Sequence, residues 1–295
     1  MSPFARDLLR TLPERRIGSQ WFYDRRGSEL FEAITALPEY YPTRTEIALL
    51  TEHAREMAEF LGADATLVEY GAGALTKVRI LLAAMRSPRR FLPLDVSGEF
   101  VKSAAATLRD DFPDLAVEPI VASFLDPFPY PGGAVGFFPG STVGNLTDGQ
   151  IVALLSHARS MERFLLGIDL VKSGAVLEAA YDDAQGVTAD FNLNLLRRAN
   201  READADFELD AWQHVALWNA RDSRIEMHLE SLRDQTVSVA GTMFAFKTGE
   251  RILTEISRKF TPEILAPLLA ESGWDIARSW IDAQMPYAVL GLARA

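Results

Sequence analysis

The sequence predicts an α/β fold with a doubly wound, Rossmann-like sheet, and three observations predict it. From Thr66 onward, short apolar runs with the length of buried strands recur along the chain. Stretches with helical periodicity separate these runs, at 76–86, 97–110 and 149–159. A glycine-rich turn at 71–74 follows the first run directly. Strands that alternate with helices favour parallel pairing, and a glycine turn commonly joins the first strand of a Rossmann-like core to its helix.

The other elements of the predicted core follow in order. The apolar runs are predicted strands, and they read TLVEYGAG, FLPLDVS, LAVEPIVASFL, AVGFFPGST and RFLLGIDLV. A helical segment covers 176–202, and extended runs follow at RIEMHLESLRD and QTVSVAGTMFAFKTGE. A helix at PEILAPLLAESG and a strand at AQMPYAVLGLAR complete the pattern. We therefore predict a core formed by 62–172 and 250–295.

The rest of the chain predicts a second lobe. Residues 1–61 are mostly amphipathic and helical, and Ser28 is a candidate N-cap for a helix that includes Phe31 and Ile34. Residues 173–249 interrupt the alternation of the core. We expect 1–61 to form the N-terminal helical part of this lobe and 173–249 to form an insertion that completes it.

Composition and charge limit the class of protein. With 295 residues, of which 48% are hydrophobic and 24% charged, the chain has the composition of a globular protein with an ample core. A net charge of −11 disfavours binding to nucleic acids and anionic membranes. The start of the chain lacks the apolar stretch of a secretory signal, and no apolar run reaches membrane-spanning length. We expect a cytoplasmic monomer that acts on a small molecule, without nucleic acid or membrane partners.

A metal site is not expected. The absence of cysteine excludes disulfides, thiolate ligands and cysteine nucleophiles. The four histidines lack the short spacing of a zinc site, and the pair Asp182 and Asp183 has no histidine close to it in the sequence.

The turn after the first predicted strand carries the cofactor signal. Glu69 precedes the glycine pair Gly71 and Gly73, and Asp95 ends the next predicted strand. Glycines allow a tight turn whose backbone approaches a ligand, and a carboxylate at the end of the second strand can accept hydrogen bonds from ribose hydroxyls. These features indicate a cofactor that contains adenosine.

The residues around this turn narrow the choice of cofactor. The third glycine of GxGxxG is missing and no GxxxxGK[ST] sequence occurs, which disfavours a dinucleotide and a nucleoside triphosphate. Glu69 suits S-adenosylmethionine instead, because the sulfonium and ammonium of that cofactor are cationic. Two simpler interpretations stay open: the glycines equally suit an ordinary strand-to-helix turn, and Lys77 suits a solvated surface lysine.

Five segments between Trp21 and Phe260 together match the sequence pattern of a known family. They read WFYDRRGSELFEAITALPEYYPTRTE, FFPGSTVGNLT, LLGIDLVKSGAVLEAAYDDAQGVTADFNLNLLRRANRE, RIEMHL and ILTEISRKF. With them the chain resembles the histidine-specific Nα-methyltransferases of ergothioneine biosynthesis. The resemblance implies a class I methyltransferase core with a substrate-binding lobe. It also implies that three methyl groups pass from S-adenosylmethionine to the α-nitrogen of free L-histidine, yielding hercynine, without a metal.

The resemblance also assigns cofactor contacts. They fall on Gly71, Lys77 and Asp95, and on the pair Ser123 and Phe124, where the family has Asp-Phe. Serine is shorter than aspartate and is a neutral acceptor. The residue that differs from the family is therefore the one expected to accept a hydrogen bond from the adenine amino group.

The same resemblance assigns contacts to the amino acid. Tyr40, Asn145 and Tyr181 correspond to positions that bind the α-carboxylate and the α-amine, and Gly140 lies where the backbone passes close to the amine. These residues position the substrate, and no catalytic acid or base is implied. From the residues alone, Asn145 also suits the cap of a helix that begins near Thr147, or a position in a turn.

Imidazole recognition is implied for Glu255 and Ser257, with Tyr23 nearby and Met227 packing against the side chain. Glu255 and Ser257 are two residues apart, so both point to one face of a strand and can satisfy the two nitrogens of an imidazole. Aromatic packing, a solvated glutamate and a core methionine are the simpler interpretations of these residues. Methylation of another aromatic amino acid, and cofactor binding without catalysis, are the alternative functions.

Overall fold

The computed structural model describes residues 1–73, 75–96 and 98–295. Ala74 of the predicted glycine turn and Ser97 therefore lie outside the described residues, as do the side chains of Glu99, Phe100, Ser103 and Ala104. The helices are α1 (Pro3–Thr11), α2 (Arg25–Thr35), α3 (Tyr41–Leu61), α4 (Thr76–Ala84), α5 (Gly98–Asp111), α6 (Asp148–Ala158), α7 (Gly174–Tyr181), α8 (Val187–Glu202) and α9 (Pro262–Ser272).

Strands alternate with helices in the middle of the chain, from residue 66 to residue 169. They are β1 (Thr66–Tyr70), β2 (Arg90–Asp95), β3 (Ala116–Val117), β4 (Ile120–Val121), β5 (Ala134–Phe138), β6 (Arg163–Asp169), β7 (Trp212–Asn219), β8 (Arg224–Ser231), β9 (Gln235–Val239), β10 (Thr242–Phe246), β11 (Arg251–Arg258), β12 (Trp274–Asp282) and β13 (Tyr287–Arg294).

The chain divides into two compact units. The first unit contains Met1–Tyr41 and Lys172–Arg258, and the second contains Pro42–Val171 and Lys259–Ala295. No helix in the described part of the chain is long and apolar enough to cross a membrane.

The boundaries of these units differ from the predicted ones at two places. Helix α3 lies with the second unit apart from its first residue, because Leu49 and Met57 pack in the same core as Leu67 of β1. Strand β11 lies with the first unit, because it pairs with β8 along its length. The assignment of the first unit to substrate binding stays a prediction.

The second unit contains the predicted parallel sheet. Its strand order is β12-β13-β6-β5-β1-β2-β3, and β4 also pairs with β2. The strands from β6 to β3 run parallel, whereas β13 and β12 are antiparallel additions at one side. Every residue of β1 and β5 is buried, as expected for strands covered on both faces. The sequence analysis did not predict β12.

Helices cover both faces of this sheet, so the predicted doubly wound α/β fold is confirmed. Successive residues of β1 point to opposite faces: Leu67 packs with α3, α4 and α5, and Val68 packs with α6 and α9. The period of two along each strand and the apolar stripe of each helix together account for this arrangement.

The first unit contains antiparallel sheets and four helices. Strands β11, β8 and β7 form one sheet, and β9 pairs with β10. In β8, Ile225, Met227 and Leu229 are buried while the intervening residues are partly exposed, so one face of the strand is covered. Helix α2 begins at Arg25 rather than after Ser28. The predicted Ser28 cap is wrong, because the Asp24 carboxylate accepts the Gly27 N–H at 2.7 Å and already caps the helix.

Candidate functional site

The glycine turn lies against the end of β2. Gly71 has φ of +67°, a conformation that glycine adopts without steric cost. The N–H groups of Gly71 and Ala72 both donate to the Leu94 carbonyl, at 2.9 and 3.1 Å. The turn is therefore held beside Asp95, the next residue of β2. A Cβ added at Gly73 would have no described neighbour within 4 Å, so the backbone there is open to a ligand.

Glu69 is a buried acid beside this turn. Glu69 is only 2% exposed, and its Oε2 atom has no hydrogen-bond partner among the described residues. Burial raises the pKa of Glu69 to about 8; Lys77 opposes the shift, and Glu46 and Asp95 add to it. A cation bound beside this buried carboxyl group would favour its ionised form, so the site suits the sulfonium and ammonium of S-adenosylmethionine.

Lys77 is not the solvated surface lysine of the simpler interpretation. It is the second residue of α4, its side chain is 16% exposed, and its Nζ atom lies 2.5 Å from Glu46 Oε2. The sequence analysis did not assign Glu46. A signal was present, because Glu46 lies on the face of α3 that also carries Leu49 and Leu50, and a charge on an apolar helix face requires a partner.

Ser123 and Phe124 follow β4. The Phe124 ring lies 5.2 Å from the Phe138 ring and 4.0 Å from the position of a Cβ on Gly71, so Phe124 lies beside the glycine turn. The Ser123 hydroxyl accepts the Leu125 N–H at 3.2 Å. The hydroxyl is thus used locally, and its contact with adenine stays a prediction.

Gly140 and Asn145 lie in the segment that leaves β5. Gly140 has φ of +79°, and its N–H donates to the Glu46 carboxylate. Asn145 ends a short 3-10 turn at Thr142–Asn145. It does not cap α6, because Thr147 does so in a reciprocal capping box with Gln150. The helix-cap interpretation of Asn145 is therefore wrong.

In the first unit, the predicted tyrosines belong to one series of ring contacts. Ring centroids lie 5.6 Å apart for Tyr23 and Phe31, 6.2 Å for Phe31 and Tyr40, and 6.0 Å for Tyr40 and Tyr181, all edge to face. Tyr40 and Tyr181 are both buried. The structure thus brings the three tyrosines together through Phe31, which the sequence analysis did not assign to the site.

The residues predicted to contact the imidazole adjoin this series. The Tyr181 hydroxyl and the Ser257 hydroxyl share a hydrogen bond of 2.7 Å, and Ser257 is buried. Across the strands, Glu255 is paired with Met227 and Ser257 with Ile225. The pairing is regular from 255 to 258, so Glu255, Met227 and Ser257 lie on one face of the sheet. A register shift lies just before it, at 253–255.

His214 holds the backbone of Tyr181. Its Nε2 atom lies 2.8 Å from the Tyr181 carbonyl, which can only accept, so Nε2 carries the proton. Its Nδ1 atom then accepts from the side-chain amide of Asn192 at 2.8 Å. Burial lowers the pKa of His214, although the bond to Tyr181 acts in the opposite direction. The sequence analysis did not identify this support for Tyr181.

The site residues predicted from sequence thus form two groups, one in each unit. The first unit carries Tyr23, Tyr40, Tyr181, Met227, Glu255 and Ser257, and the second carries Glu69, Gly71, Gly73, Lys77, Asp95, Ser123, Phe124, Gly140 and Asn145. Within the described residues, no three acidic or histidine side chains are grouped as metal ligands would be.

Known proteins are similar in sequence to this chain over most of its length. The family described as "Histidine-specific methyltransferase, SAM-dependent" matches residues 4–294. A histidine N-alpha-methyltransferase of Mycolicibacterium smegmatis is 43% identical over 97% of this chain and 91% of its own length. One from Mycobacterium tuberculosis is 44% identical over 89% and 85%, respectively. Ergothioneine biosynthesis protein 1 of Neurospora crassa is 28% identical over 90% of this chain, which spans 32% of that longer protein.

Solved structures support the fold. The pyocyanin biosynthetic protein PhzM matches with a TM-score of 0.51 at 15% identity, over 90% of this chain and 62% of that one. At this identity the similarity concerns the fold alone, and the family follows from the sequence matches. The chain belongs to the histidine-specific, S-adenosylmethionine-dependent methyltransferases.

Proposed function

We propose that this protein transfers three methyl groups from S-adenosylmethionine to the α-amino nitrogen of free L-histidine and so forms hercynine, a step of ergothioneine biosynthesis. The observation that supports it most is the extent of the sequence similarity to two histidine N-alpha-methyltransferases, at 43% and 44% identity. The grouping of Tyr40, Tyr181 and Ser257 in the first unit is consistent with binding of an amino acid with a polar side chain.

The second unit supplies the residues proposed for the cofactor. When bound, S-adenosylmethionine provides an electrophilic methyl group on a sulfonium. We propose that Gly71 allows close backbone approach, that Asp95 accepts hydrogen bonds from the ribose hydroxyls, and that Lys77 binds the carboxylate of the cofactor. We propose that the buried Glu69 loses its proton when the cofactor binds and then supplies a negative charge beside the cationic groups.

The protein's main task in this reaction is positioning. Methyl transfer is an in-line displacement, so a neutral amine must be held close to the methyl carbon. We propose that Tyr40, Asn145 and Tyr181 hold the α-carboxylate and the amine, and that the Gly140 backbone lies close to the amine. Proximity to a sulfonium lowers the pKa of the substrate ammonium. The ammonium then loses a proton to bulk water, and the neutral amine attacks the methyl carbon. The reaction ends at three methyl groups, because a quaternary nitrogen has no lone pair.

We propose that Glu255 and Ser257 recognise the imidazole. Glu255 accepts the N–H of one ring nitrogen, Ser257 fixes the other nitrogen, Met227 packs against the ring, and Tyr23 lies close to it. A buried site that hydrogen-bonds a substrate rejects analogues that leave its polar groups without partners. Tryptophan and tyrosine are therefore expected to be poor substrates.

The test is mass spectrometry of each of the twenty amino acids after incubation with the protein and S-adenosylmethionine. We expect histidine to gain three methyl groups and the others to remain largely unmodified. Preferred methylation of another aromatic amino acid would contradict the substrate assignment. Calorimetric binding of S-adenosylmethionine and histidine without turnover would contradict catalysis.

We further expect the protein to act as a cytoplasmic monomer without nucleic acid or membrane partners. The net charge of −11 supports the lack of polyanionic partners. Sedimentation velocity across a range of protein concentrations measures the oligomeric state, and a stable dimer would contradict this expectation.

A further inference from the structure

Glu46 of α3 is a fully buried charged residue that the proposed function does not use. Its side chain has no exposed surface, and its carboxylate lies 2.5 Å from the Lys77 ammonium. The Gly140 N–H donates to both of its oxygens, at 2.8 and 3.0 Å. A carboxylate removed from water is tolerated only where charged and hydrogen-bonding partners replace the water. Its two partners therefore determine where this carboxylate lies.

Two glycines leave the space for this ion pair. A Cβ on Gly167 of β6 would lie 2.0 Å from Glu46 Oε1, and a Cβ on Gly140 would lie 3.4 Å from Lys77 Nζ. A side chain at Gly167 would thus displace the carboxylate. The backbone of Gly167 thus lies against the carboxylate, and the backbone of Gly140 lies close to the ammonium.

The pair also sets the charge beside the proposed cofactor contacts. The Lys77 ammonium has three N–H groups, and the Glu46 contact uses one of them. S-adenosylmethionine carries a net positive charge, whereas its demethylated product, S-adenosylhomocysteine, lacks the sulfonium charge. If Glu46 were neutral, Lys77 would lose the carboxylate that it contacts directly, and its charge would be compensated less. It would repel the methyl donor more than the product, and partial burial strengthens such repulsion.

We propose that Glu46 maintains the preference of this site for the cationic methyl donor over its neutral product, by compensating Lys77 so that the lysine does not repel the donor. The proposal rests on the proposed function, since it takes Lys77 as a cofactor contact. Glu46 acts through Lys77 and Gly140, so it is a positioning residue.

The test compares the dissociation constants of S-adenosylmethionine and S-adenosylhomocysteine by calorimetry. In Glu46→Gln, which keeps the size of the side chain, we expect donor affinity to fall about tenfold or more and product affinity to fall less than about threefold. The double variant Glu46→Gln/Lys77→Met removes both charges of the pair. Its ratio of the two constants is expected to return to within about threefold of the wild-type ratio.

Glu52→Gln is the matched control, because Glu52 lies on the same helix with a side chain that is 74% exposed. Both constants are expected to be unchanged in this control. Equal losses of donor and product affinity in Glu46→Gln, or no loss, overturn the proposal. If Glu46→Gln does not fold, as judged by circular dichroism, Lys77→Met decides instead. It leaves the Glu46 charge without Lys77, so the ratio of the two constants is expected to shift in favour of the donor, and an unshifted ratio overturns the proposal.

The proposed function fails in a different measurement. Wild-type protein that binds S-adenosylmethionine but does not methylate histidine would contradict that function. The comparison of donor and product affinities among the variants would still decide the role of Glu46.

Discussion

The hydroxyl groups of Tyr181 and Ser257 lie 2.7 Å apart and share a buried hydrogen bond. Tyr181 ends α7, and Ser257 lies in β11, 76 residues further along the chain. The resemblance assigns one residue to the α-carboxylate end of the substrate and the other to its imidazole. The bond therefore links the two predicted recognition elements directly.

Because of this bond, Tyr181→Phe and Ser257→Ala are expected to have non-additive effects. Each removes one partner of a buried hydrogen bond, which costs roughly 1–3 kcal/mol, or about 5- to 150-fold in kcat/KM for histidine. Once one hydroxyl is absent, loss of the other removes less, so the double variant is expected to lose less than the product of the single effects. Steady-state kinetics of the four proteins provide the measurement. Strictly multiplicative effects would contradict the coupling.

Glu255→Ala is expected to change substrate preference. Loss of a charge-assisted hydrogen bond to imidazole is expected to raise KM for histidine by roughly 10- to 100-fold, while a larger aromatic amino acid is tolerated better. The measurement is kcat/KM for histidine and for tryptophan. Glu226→Gln is the matched control, because Glu226 is paired with Ile256 and therefore lies on the opposite face of the sheet. An unchanged preference for histidine in Glu255→Ala would exclude this role.

The sequence predicted the elements whose signals are local. The period of the apolar runs predicts the parallel sheet, and Gly71 with Asp95 follows from a short motif whose two halves end neighbouring strands. The partners of Glu46 could not be predicted in this way, because Lys77 and Gly140 meet it only after the sheet has formed. The same holds for His214, whose contact with the Tyr181 carbonyl has no sequence signature.

The boundary at residue 250 shows the same limit. Extended runs were predicted at RIEMHLESLRD and QTVSVAGTMFAFKTGE but not at β7, and periodicity does not say which strand pairs with which. The predicted boundary at residue 250 assigned Arg251–Arg258 to the core. The pairing of this strand with β8, in which Glu255 is opposite Met227, places it in the other unit.

Cofactor affinity is expected to depend on pH through Glu69. In the ligand-free protein the pKa of Glu69 is about 8, so the side chain carries a proton at neutral pH. A bound sulfonium and ammonium favour the ionised carboxylate, so binding releases this proton. The association constant is then expected to rise by up to about tenfold per pH unit as the pH increases toward 8, and the contribution of Glu69 levels off above it. Lys77, Glu46 and Asp95 are the charged groups that act on Glu69.

Proton release is measured by calorimetry in buffers of different ionisation enthalpy. The α-amino group of the cofactor also titrates, with a pKa of about 8, and contributes to the total number of protons released. Glu69→Gln keeps that contribution and removes the one from the protein, so the difference between the two proteins isolates Glu69. Equal proton release by wild type and Glu69→Gln would contradict the assignment.

Lys259→Met is expected to destabilise the second unit strongly. Lys259 and Asp169 form an ion pair of 2.9 Å in which neither side chain has exposed surface. Loss of the lysine leaves a buried carboxylate without its cation, which costs about 3–5 kcal/mol. The double variant Asp169→Asn/Lys259→Met removes both charges and is expected to lose less. Urea unfolding measures the change. Lys247→Met, which removes an exposed ion pair with Asp234, is expected to have little effect. Equal stability of the Lys259 and Lys247 variants would contradict the expectation.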